Sequence, residues 1–222
     1  MTRLARLDAG TAPLLPPGVV GSLRDGGVLI CPTDTIYGIA VDPASEKAIA
    51  RLVSVKGREG RKPIPLLLDE RETAFSLARE VPADATRLMG KFWPGALTIV
   101  LPASPGLSEA LTGGTGTVGL RVPDHPVPRA LAAAVGGAIT GTSANRSGTP
   151  GAWRTPEEIL REFAGEVDWI LWDGPAPALP GSTSFSPSPP GSTVVLAEEG
   201  KVLLLREGAI PFRTITDFLG KG

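Results

Sequence analysis

Four cations lie close together in one short segment, Lys56-Gly57-Arg58-Glu59-Gly60-Arg61-Lys62-Pro63. Cations near the C-terminus of a helix favour the negative end of its dipole, which accounts for Lys56 and in part for Arg58. The dipole accounts poorly for Arg61 and Lys62, because the two glycines carry the chain away from the helix. Clustered cations on such a loop suit a polyphosphate, to which arginine makes forked contacts and lysine offers a point charge. The segment therefore indicates an anion-binding loop.

Two further segments place small polar side chains directly after predicted strands. Gly141-Thr142-Ser143-Ala144-Asn145-Arg146-Ser147-Gly148 carries hydroxyl and amide groups, and Pro32-Thr33-Asp34-Thr35 carries hydroxyls. Ligands of α/β sheets bind at the carboxyl ends of strands, where such groups can hydrogen-bond a nucleotide or a small polar substrate. A plain turn is the alternative for both segments.

An arginine lies inside an otherwise apolar strand pattern, Thr117-Val118-Gly119-Leu120-Arg121-Val122. A buried cation without a counter-charge is costly, so Arg121 requires an anionic partner. An internal acid and the carboxylate of a substrate would both meet this requirement.

Several common catalytic motifs are incomplete. The string from Gly114 to Gly119 matches the dinucleotide fingerprint, but it leads into a predicted strand, whereas the fingerprint leads into a helix. No glycine-rich loop ends in Gly-Lys-Ser or Gly-Lys-Thr, which excludes a P-loop. With one histidine, His125, and one cysteine, Cys31, a zinc site of the usual type cannot be assembled. No Gly-x-Ser-x-Gly elbow accompanies His125, which argues against a Ser-His-Asp triad.

Hydrophobic patterning predicts an α/β protein in which strands and helices interleave. Asp42 and Pro43 are predicted to open a helix that ends at Gly57, and Thr155-Pro156-Glu157-Glu158 forms a capping box for a helix through Phe163. Further helices are predicted over 70–78, 83–92 and 127–135. Strands are predicted over 28–31, 36–41, 64–68, 96–101, 117–122, 138–142, 167–172, 192–197 and 201–205. The last two strands form a hairpin, which favours a mixed sheet over a purely parallel one.

Length and composition bound the class of protein. The 222 residues, of which 42% are hydrophobic, suffice for one packed core, and we expect one domain over 14–210 with a short tail over 211–222. The 22 basic residues balance 23 acidic ones, so an anionic ligand must be held by a local cluster. Cys31 is expected to be a small buried residue. No apolar run is long enough for a signal peptide or a membrane span, which predicts a cytoplasmic protein without a membrane partner.

Six segments together resemble the YrdC-like family, whose members make threonylcarbamoyl-AMP. They occur in the family's order, span about Gly18 to Ile210, and are Pro32–Gly38, Lys56–Arg58, Phe92–Thr98, Gly119–Pro126, Thr142–Gly148 and Gly191–Val195. The resemblance implies a twisted, mostly mixed α/β sheet with flanking helices around a large, locally positive cavity. Longer members carry a second C-terminal domain, and this chain is expected to be the single-domain form.

The resemblance also implies roles for individual residues. Lys56 and Arg58 match the family's Lys-x-Arg pair, expected to be catalytic at the nucleotide phosphates and the carbamate. The implied ATP-binding residues are Lys56, Arg58, Lys62, Thr117, Ser143, Asn145 and Arg206. The implied threonine-binding residues are Thr35, Arg121 and Ser192. No protein ligands to a metal are implied, so Mg²⁺ would be bound mainly through ATP.

Two features depart from the family pattern. The typical ending Glu-Ser-Thr-Val-Val-Asp reads Gly191-Ser192-Thr193-Val194-Val195-Leu196 here, so both flanking acids are missing. The segment 175–191, rich in proline and serine, is longer than usual and is predicted to be an irregular loop. Because this loop contains Ser182 in a similar local sequence, Ser182 competes with Ser192 for the predicted position.

The implied function is that of an L-threonylcarbamoyladenylate synthase, a nucleotidyltransferase that joins L-threonine, bicarbonate and ATP and releases pyrophosphate. A tRNA-modifying threonylcarbamoyl transferase would receive the product, and weak direct RNA binding is also expected. One rival hypothesis is a module that binds double-stranded RNA or tRNA through the basic loop, which the near-neutral charge and the 5% aromatic content disfavour. A second rival is a carbamoyl-transfer domain of the hydrogenase-maturation type, which belongs to longer, multidomain proteins.

Overall fold

The structure, a computed structural model, describes residues 1–7, 15–57, 62–146, 153, 155–175 and 191–220. These residues form eleven strands and eight helices. The strands are β1 (Arg3–Arg6), β2 (Leu29–Cys31), β3 (Gly38–Ala40), β4 (Leu66–Leu68), β5 (Leu97–Pro102), β6 (Thr117–Arg121), β7 (Ala138–Thr140), β8 (Thr142–Ser143), β9 (Trp169–Trp172), β10 (Thr193–Glu198) and β11 (Lys201–Arg206). The helices are α1 (Val19–Arg24), α2 (Glu46–Lys56), α3 (Ala74–Leu77), α4 (Ala83–Phe92), α5 (Glu109–Thr112), α6 (Pro126–Ala134), α7 (Pro156–Phe163) and α8 (Phe212–Leu219). In the described part of the chain, none of the helices is long and apolar enough to cross a bilayer.

The strands form two sheets, and each sheet mixes parallel and antiparallel pairs. The first sheet has the order β1-β9-β2-β3-β8, with β1, β9 and β2 parallel to one another and β3 and β8 antiparallel to their neighbours. The second sheet has the order β11-β10-β5-β6-β4-β7, in which the pairs β10/β5 and β6/β4 are parallel. The predicted α/β class and the mixed strand order are confirmed, and the strands divide between two sheets.

The chain passes from the second sheet to the first at Gly141, between β7 and β8. A Cβ atom at this position would overlap Cγ of Leu67 in β4, so the glycine lets the connecting residue lie directly against β4. Thr140 secures the crossing, because its hydroxyl donates to the carbonyl oxygen of Ile39 and accepts from the amide of Val41. Close packing at this point therefore joins the two sheets.

Apolar side chains form two buried clusters. The larger one joins both sheets to α2, α4, α7 and α8, and Leu52, Phe163 and Ile215 are among its fully buried members. The smaller one packs α1 and α6 against strands of both sheets, including β4 and β7 of the second, and contains Leu131 and the free Cys31, which is buried as predicted. Within the segment predicted as a tail, α8 contributes Ile215 to the larger cluster.

Helix α2 begins later than the sequence predicted. Its N-cap is Ser45, whose hydroxyl accepts a hydrogen bond from the amide of Ala48. Asp42 accepts instead from the amide of Ala44 in the preceding turn. The helix ends where predicted, because Gly57 adopts a left-handed conformation with φ of 57°. The helix predicted over 70–78 is also shorter than expected, since only α3 forms there.

The predicted capping box of α7 is present in full. The Thr155 hydroxyl accepts from the amide of Glu158, and the Glu158 carboxylate accepts from the amide of Thr155. The helix buries Ile159 and Phe163, so fraying of its first turn would weaken core packing.

We predict that Thr155→Ala lowers the free energy of unfolding by about 1 kcal/mol, because a first-turn amide loses its acceptor. Urea-induced unfolding followed by circular dichroism measures the change. Thr155→Ser keeps the hydroxyl and is the matched control. Equal stability of the alanine variant and the wild type would contradict the assigned cap.

Candidate active site

A cavity of about 560 Å³ opens over one face of the second sheet. Six of the residues that the sequence assigns to ligand binding line it, namely Thr35, Thr117, Arg121, Ser143, Ser192 and Arg206. They come from segments that are distant in the sequence, which the two sheets bring together. Arg121 and Arg206 therefore face one hollow, whereas Lys56 and Lys62 of the basic segment are not among the described residues that line it.

Strand alternation builds the floor of the cavity. Successive side chains of a strand point to opposite faces, so one face of β5 and β6 can serve the cavity while the other serves the core. The cavity face carries Thr98, Val100, Thr117, Gly119 and Arg121. The core face carries Leu97, Ile99, Leu101, Val118 and Leu120. The same strands thus hold the fold together and present the polar groups.

Strand pairing aligns four cavity residues in a row across the second sheet. The register that pairs Ile99 with Leu120 places Thr98 of β5 opposite Arg121 of β6. On the other side Val194 of β10 pairs with both Thr98 and Arg206. Three strand spacings separate the backbones of the two arginines by about 14 Å. Their long side chains therefore bracket a space large enough for two small anionic groups.

Arg121 has an internal acid as its counter-charge and still has donors to spare. Only 5% of the residue is exposed. Its guanidinium donates to Asp34 Oδ1, to Thr35 Oγ1 at 3.1 Å and to the carbonyl oxygen of Gly95 at 2.9 Å. A guanidinium has five N–H groups, and the other two have no acceptor within the described ranges. Of the two alternatives left open by the sequence, the internal acid is present as Asp34. A substrate carboxylate at the two remaining donors stays a prediction.

Thr35 is bound to Arg121 and to Thr33 in a way that fixes its hydrogen. The Thr33 hydroxyl donates to the carbonyl oxygen of Ile36 at 2.7 Å. Its contact of 3.1 Å with the Thr35 hydroxyl must therefore be donated by Thr35. Since Thr35 Oγ1 also accepts from Arg121, it has one lone pair left and no hydrogen. Thr35 can accept a hydrogen bond from a ligand but cannot donate one.

Arg206 supplies a second positive charge. The residue is exposed as a whole, yet its guanidinium lines the cavity and donates to the carbonyl oxygen of Ser192 at 2.8 Å. Burial, and then the positive charge of Arg121, lower the pKa of the Arg206 guanidinium below its usual value. Arg206 pairs with no carboxylate among the residues described here. An anionic ligand would relieve this unfavourable charge.

Lys56 lies on the buried side of α2, because it follows Ile49 and Leu52 at helical spacing, and only 2% of it is exposed. Its ammonium donates to the carbonyl oxygens of Ser143 at 2.6 Å and Asn145 at 2.5 Å, and to Asn145 Oδ1 at 3.2 Å. The predicted phosphate contact stays a prediction. Lys56 holds the end of β8 and the turn that follows it, which carry the predicted ATP-binding residues Ser143 and Asn145.

Arg146 holds the same turn from the other side. Its guanidinium donates to the carbonyl oxygen of Val55 and to the carboxylates of Glu162 and Glu166, and it lies 5.5 Å from the ring centre of Phe163. The carboxylate of Glu166 raises the pKa of Arg146 above its usual value. The turn is therefore attached to both α2 and α7.

The structure gives little information on the other residues that the sequence analysis named. Lys62 is exposed at the start of the segment whose prolines, Pro63 and Pro65, line the cavity. Arg58, Arg61 and the competing Ser182 lie outside the described residues.

Two polar groups beside the site were not assigned a role from the sequence. Tyr37 lines the cavity and its hydroxyl donates to Asp173, which also bonds Nε2 of His125 at 2.7 Å. Burial, and then the charge of Asp173, raise the pKa of Tyr37 far above its usual value. Thr98 is the other group, and its signal in the sequence is a single polar residue within the apolar run Leu97 to Leu101.

Comparison with known proteins gives a consistent result. The Sua5/YciO/YrdC family model, described as "Telomere recombination", matches residues 21–208. Over 201 residues the chain is 33% identical to a threonylcarbamoyl-AMP synthase of Pyrococcus abyssi, covering 90% of this chain and 56% of that protein. It is 37% identical over 162 residues to a threonylcarbamoyl-AMP synthase of Halorhodospira halophila, covering 73% of this chain and 84% of that protein.

A solved structure of P. abyssi Sua5 complexed with L-threonine has a similar fold. The TM-score is 0.83 at 29% identity, and the match covers 100% of this chain and 61% of that one. The chain therefore spans little more than half the length of the P. abyssi protein, which is 56% covered in sequence.

We predict that Asp34→Asn lowers the free energy of unfolding by about 3 kcal/mol, because the Arg121 charge is left buried without a counter-charge. Chemical denaturation at neutral pH measures this. Adding Arg121→Met to Asp34→Asn should recover part of the loss, since the uncompensated charge is then gone.

Asp124→Asn is the matched control, because Asp124 is exposed. Its effect should stay within about 0.5 kcal/mol. If the Asp34→Asn and Asp124→Asn variants were equally stable, the ion pair would not be a stabilising contact.

Proposed function

Because the chain belongs to the Sua5/YciO/YrdC family, we propose that it is a nucleotidyltransferase that condenses L-threonine, bicarbonate and ATP into threonylcarbamoyl-AMP and pyrophosphate. The observation that carries this proposal is the position of Arg121 and Arg206 at opposite ends of one row in one cavity. Such an arrangement suits a reaction between two anions, which must be brought together against their repulsion.

The proposed reaction has two steps. The amine of threonine attacks the carbon of bicarbonate or of carbon dioxide derived from it, which gives a carbamate; from bicarbonate, water is lost. A carbamate oxygen then attacks the α-phosphorus of ATP, and the bond from that phosphorus to the pyrophosphate oxygen breaks. No protein nucleophile is needed, so the protein contributes positions and charges.

The two arginines divide the anions between them in this proposal. Arg121 takes the carboxylate of threonine with its two remaining N–H groups, while its ion pair with Asp34 keeps it in place. Arg206, which has no carboxylate partner in the described chain, takes phosphate oxygens and stabilises the negative charge that develops on them. Thr117, Ser143 and Asn145 are proposed to contact the nucleotide.

The basic loop is proposed to complete the phosphate site. Lys56 would act at the phosphates and the carbamate through its charge, because its three N–H groups already donate to Ser143 and Asn145. Arg58 would act at the same groups, with Lys62 beside the nucleotide. Lys56 would contribute in a second way, because it fixes the Ser143–Asn145 turn.

Mg²⁺ is proposed to be held mainly by the phosphate oxygens of ATP, where it would neutralise charge. The donors around the cavity fit this arrangement: Glu207 is its one lining carboxylate within the described ranges, and no cluster of three or more metal-binding side chains was found there. A lone carboxylate suits a metal that keeps phosphate and water ligands.

The product is proposed to serve the threonylcarbamoyl modification of adenosine in tRNA. An acyl adenylate is a reactive mixed anhydride, so a transferase must pass the threonylcarbamoyl group to an amine and release AMP. Weak direct RNA binding by the basic loop remains a prediction.

We predict that the protein releases pyrophosphate from ATP only when threonine and bicarbonate are both present. A coupled pyrophosphate assay, with each substrate omitted in turn, measures this dependence. Release that is independent of threonine, or RNA affinity that falls steeply with salt without any turnover, would contradict the proposal.

We predict that Lys56→Met lowers kcat/KM for ATP by about 100-fold or more, because a positive charge near the phosphates is lost and the Ser143–Asn145 turn is released. Methionine keeps a similar volume on the buried side of α2, and circular dichroism checks the fold. Lys91→Met, at an exposed position of α4, is the control and should be fully active. Normal turnover in a folded Lys56→Met variant would refute the role of Lys56.

A further inference from the structure

The floor of the cavity contains a pair of buried hydroxyl groups. Thr98 Oγ1 and Ser192 Oγ lie 2.7 Å apart, and the two residues are 4% and 7% exposed. Both line the cavity. Thr98 belongs to none of the residues to which the family resemblance gives a role.

The backbone explains why the Thr98 hydroxyl points toward Ser192. A Cβ atom at Gly119 of the neighbouring strand would lie 3.2 Å from Cγ2 of Thr98, so the absence of a side chain there makes room for the methyl group. With the methyl group on the β6 side, the hydroxyl faces β10, which Ser192 precedes. The orientation of Thr98 is thus set by packing.

The hydrogen bonds of the pair are incomplete. Two hydroxyl groups carry two hydrogens, and the contact between them uses one. The second hydrogen has no acceptor within the described parts of the chain, although Ser192 Oγ also lies 3.4 Å from a donor nitrogen of Arg206. Because both residues line the cavity, this hydroxyl hydrogen can donate to a ligand that enters it.

The cavity therefore offers three different kinds of hydrogen-bonding group. Arg121 has two N–H donors for a carboxylate, and Thr35 has an acceptor but no hydrogen, which suits an amine N–H. The Thr98–Ser192 pair has a free hydrogen as well as lone pairs, which suits a group that both accepts and donates. An alcohol is such a group, and Thr98 lies directly opposite Arg121 in the sheet.

We propose that Thr98, paired with Ser192, binds the β-hydroxyl group of the amino-acid substrate and thereby determines specificity for β-hydroxy amino acids. This inference rests on the proposed function for the identity of the substrate. Val100 and Val194, which line the same floor, provide apolar contact beside the hydroxyl site.

The test compares L-threonine with L-2-aminobutyrate, which has the same carbon skeleton without the hydroxyl. In Thr98→Val, a nearly isosteric change, the affinity and kcat/KM for threonine should fall by about 10- to 100-fold. The values for 2-aminobutyrate should change by less than about 3-fold, so the preference for threonine should largely disappear. Calorimetry measures binding and the pyrophosphate assay measures turnover.

Thr98→Ser keeps the hydroxyl and should retain the preference. An equal loss for both amino acids, or an unchanged preference in Thr98→Val, would overturn the inference. If Thr98→Val did not fold, Ser192→Ala would remove the other member of the pair and should abolish the same preference. Threonine binding that depends on Thr98 without any release of pyrophosphate would refute the proposed reaction and leave the hydroxyl site intact.

Discussion

The buried charge of Arg121 is the constraint on which the rest of the site depends. A guanidinium that is removed from water must be paired and hydrogen-bonded, and the partners of Arg121 come from both sheets. Asp34 and Thr35 follow β2 of the first sheet, whereas Arg121 ends β6 of the second. Satisfying one charge therefore fixes the two sheets against each other across the cavity. The turn that carries Thr35 is then held in one conformation before any ligand arrives.

Strands β5 and β6 each pack against the core with one face and line the cavity with the other. In β5 and β6 the core face is apolar throughout, while the cavity face carries two hydroxyl groups, a glycine and a charge beside Val100. A polar group such as Thr98 is therefore positioned by a strand that also packs the core, and not by a loop. Substitution of a hydroxyl residue on the cavity face can therefore alter ligand binding while the apolar face still packs against the core.

The sequence predicted those structural features that depend on interactions between residues close together in the chain. The capping box at Thr155, the C-cap at Gly57 and the β10–β11 hairpin all depend on neighbours within a few residues, and all three are present. Strand β1 and helices α1, α5 and α8 were missed. The segments β1, α1 and α5 have only four to six residues, too few to show a period, whereas α8 carries Phe212, Ile215 and Leu219 at helical spacing, a signal that the sequence does contain. The contacts that define the site join residues far apart in the chain, such as Lys56 and Asn145, which are 89 positions apart. Residue types indicated that Arg121 needs an anion, but only the fold could identify Asp34.

Asp34 neutralises Arg121, whereas no described carboxylate is paired with Arg206, and this difference in charge would orient the substrates of the proposed reaction. Arg121 already shares its charge with Asp34, so its site is close to neutral and suits a carboxylate, which carries one negative charge. The Arg206 guanidinium forms no ion pair with the described acids, and burial, followed by the charge of Arg121, lowers its pKa. The stronger positive potential would therefore lie at the Arg206 end of the row, where it would attract a triphosphate because of its higher charge. Thr98 lies next to Arg121 in this row, on the carboxylate side. The charge difference between the ends of the row would thus orient both substrates, with the amine and the α-phosphorus facing each other over the floor between them.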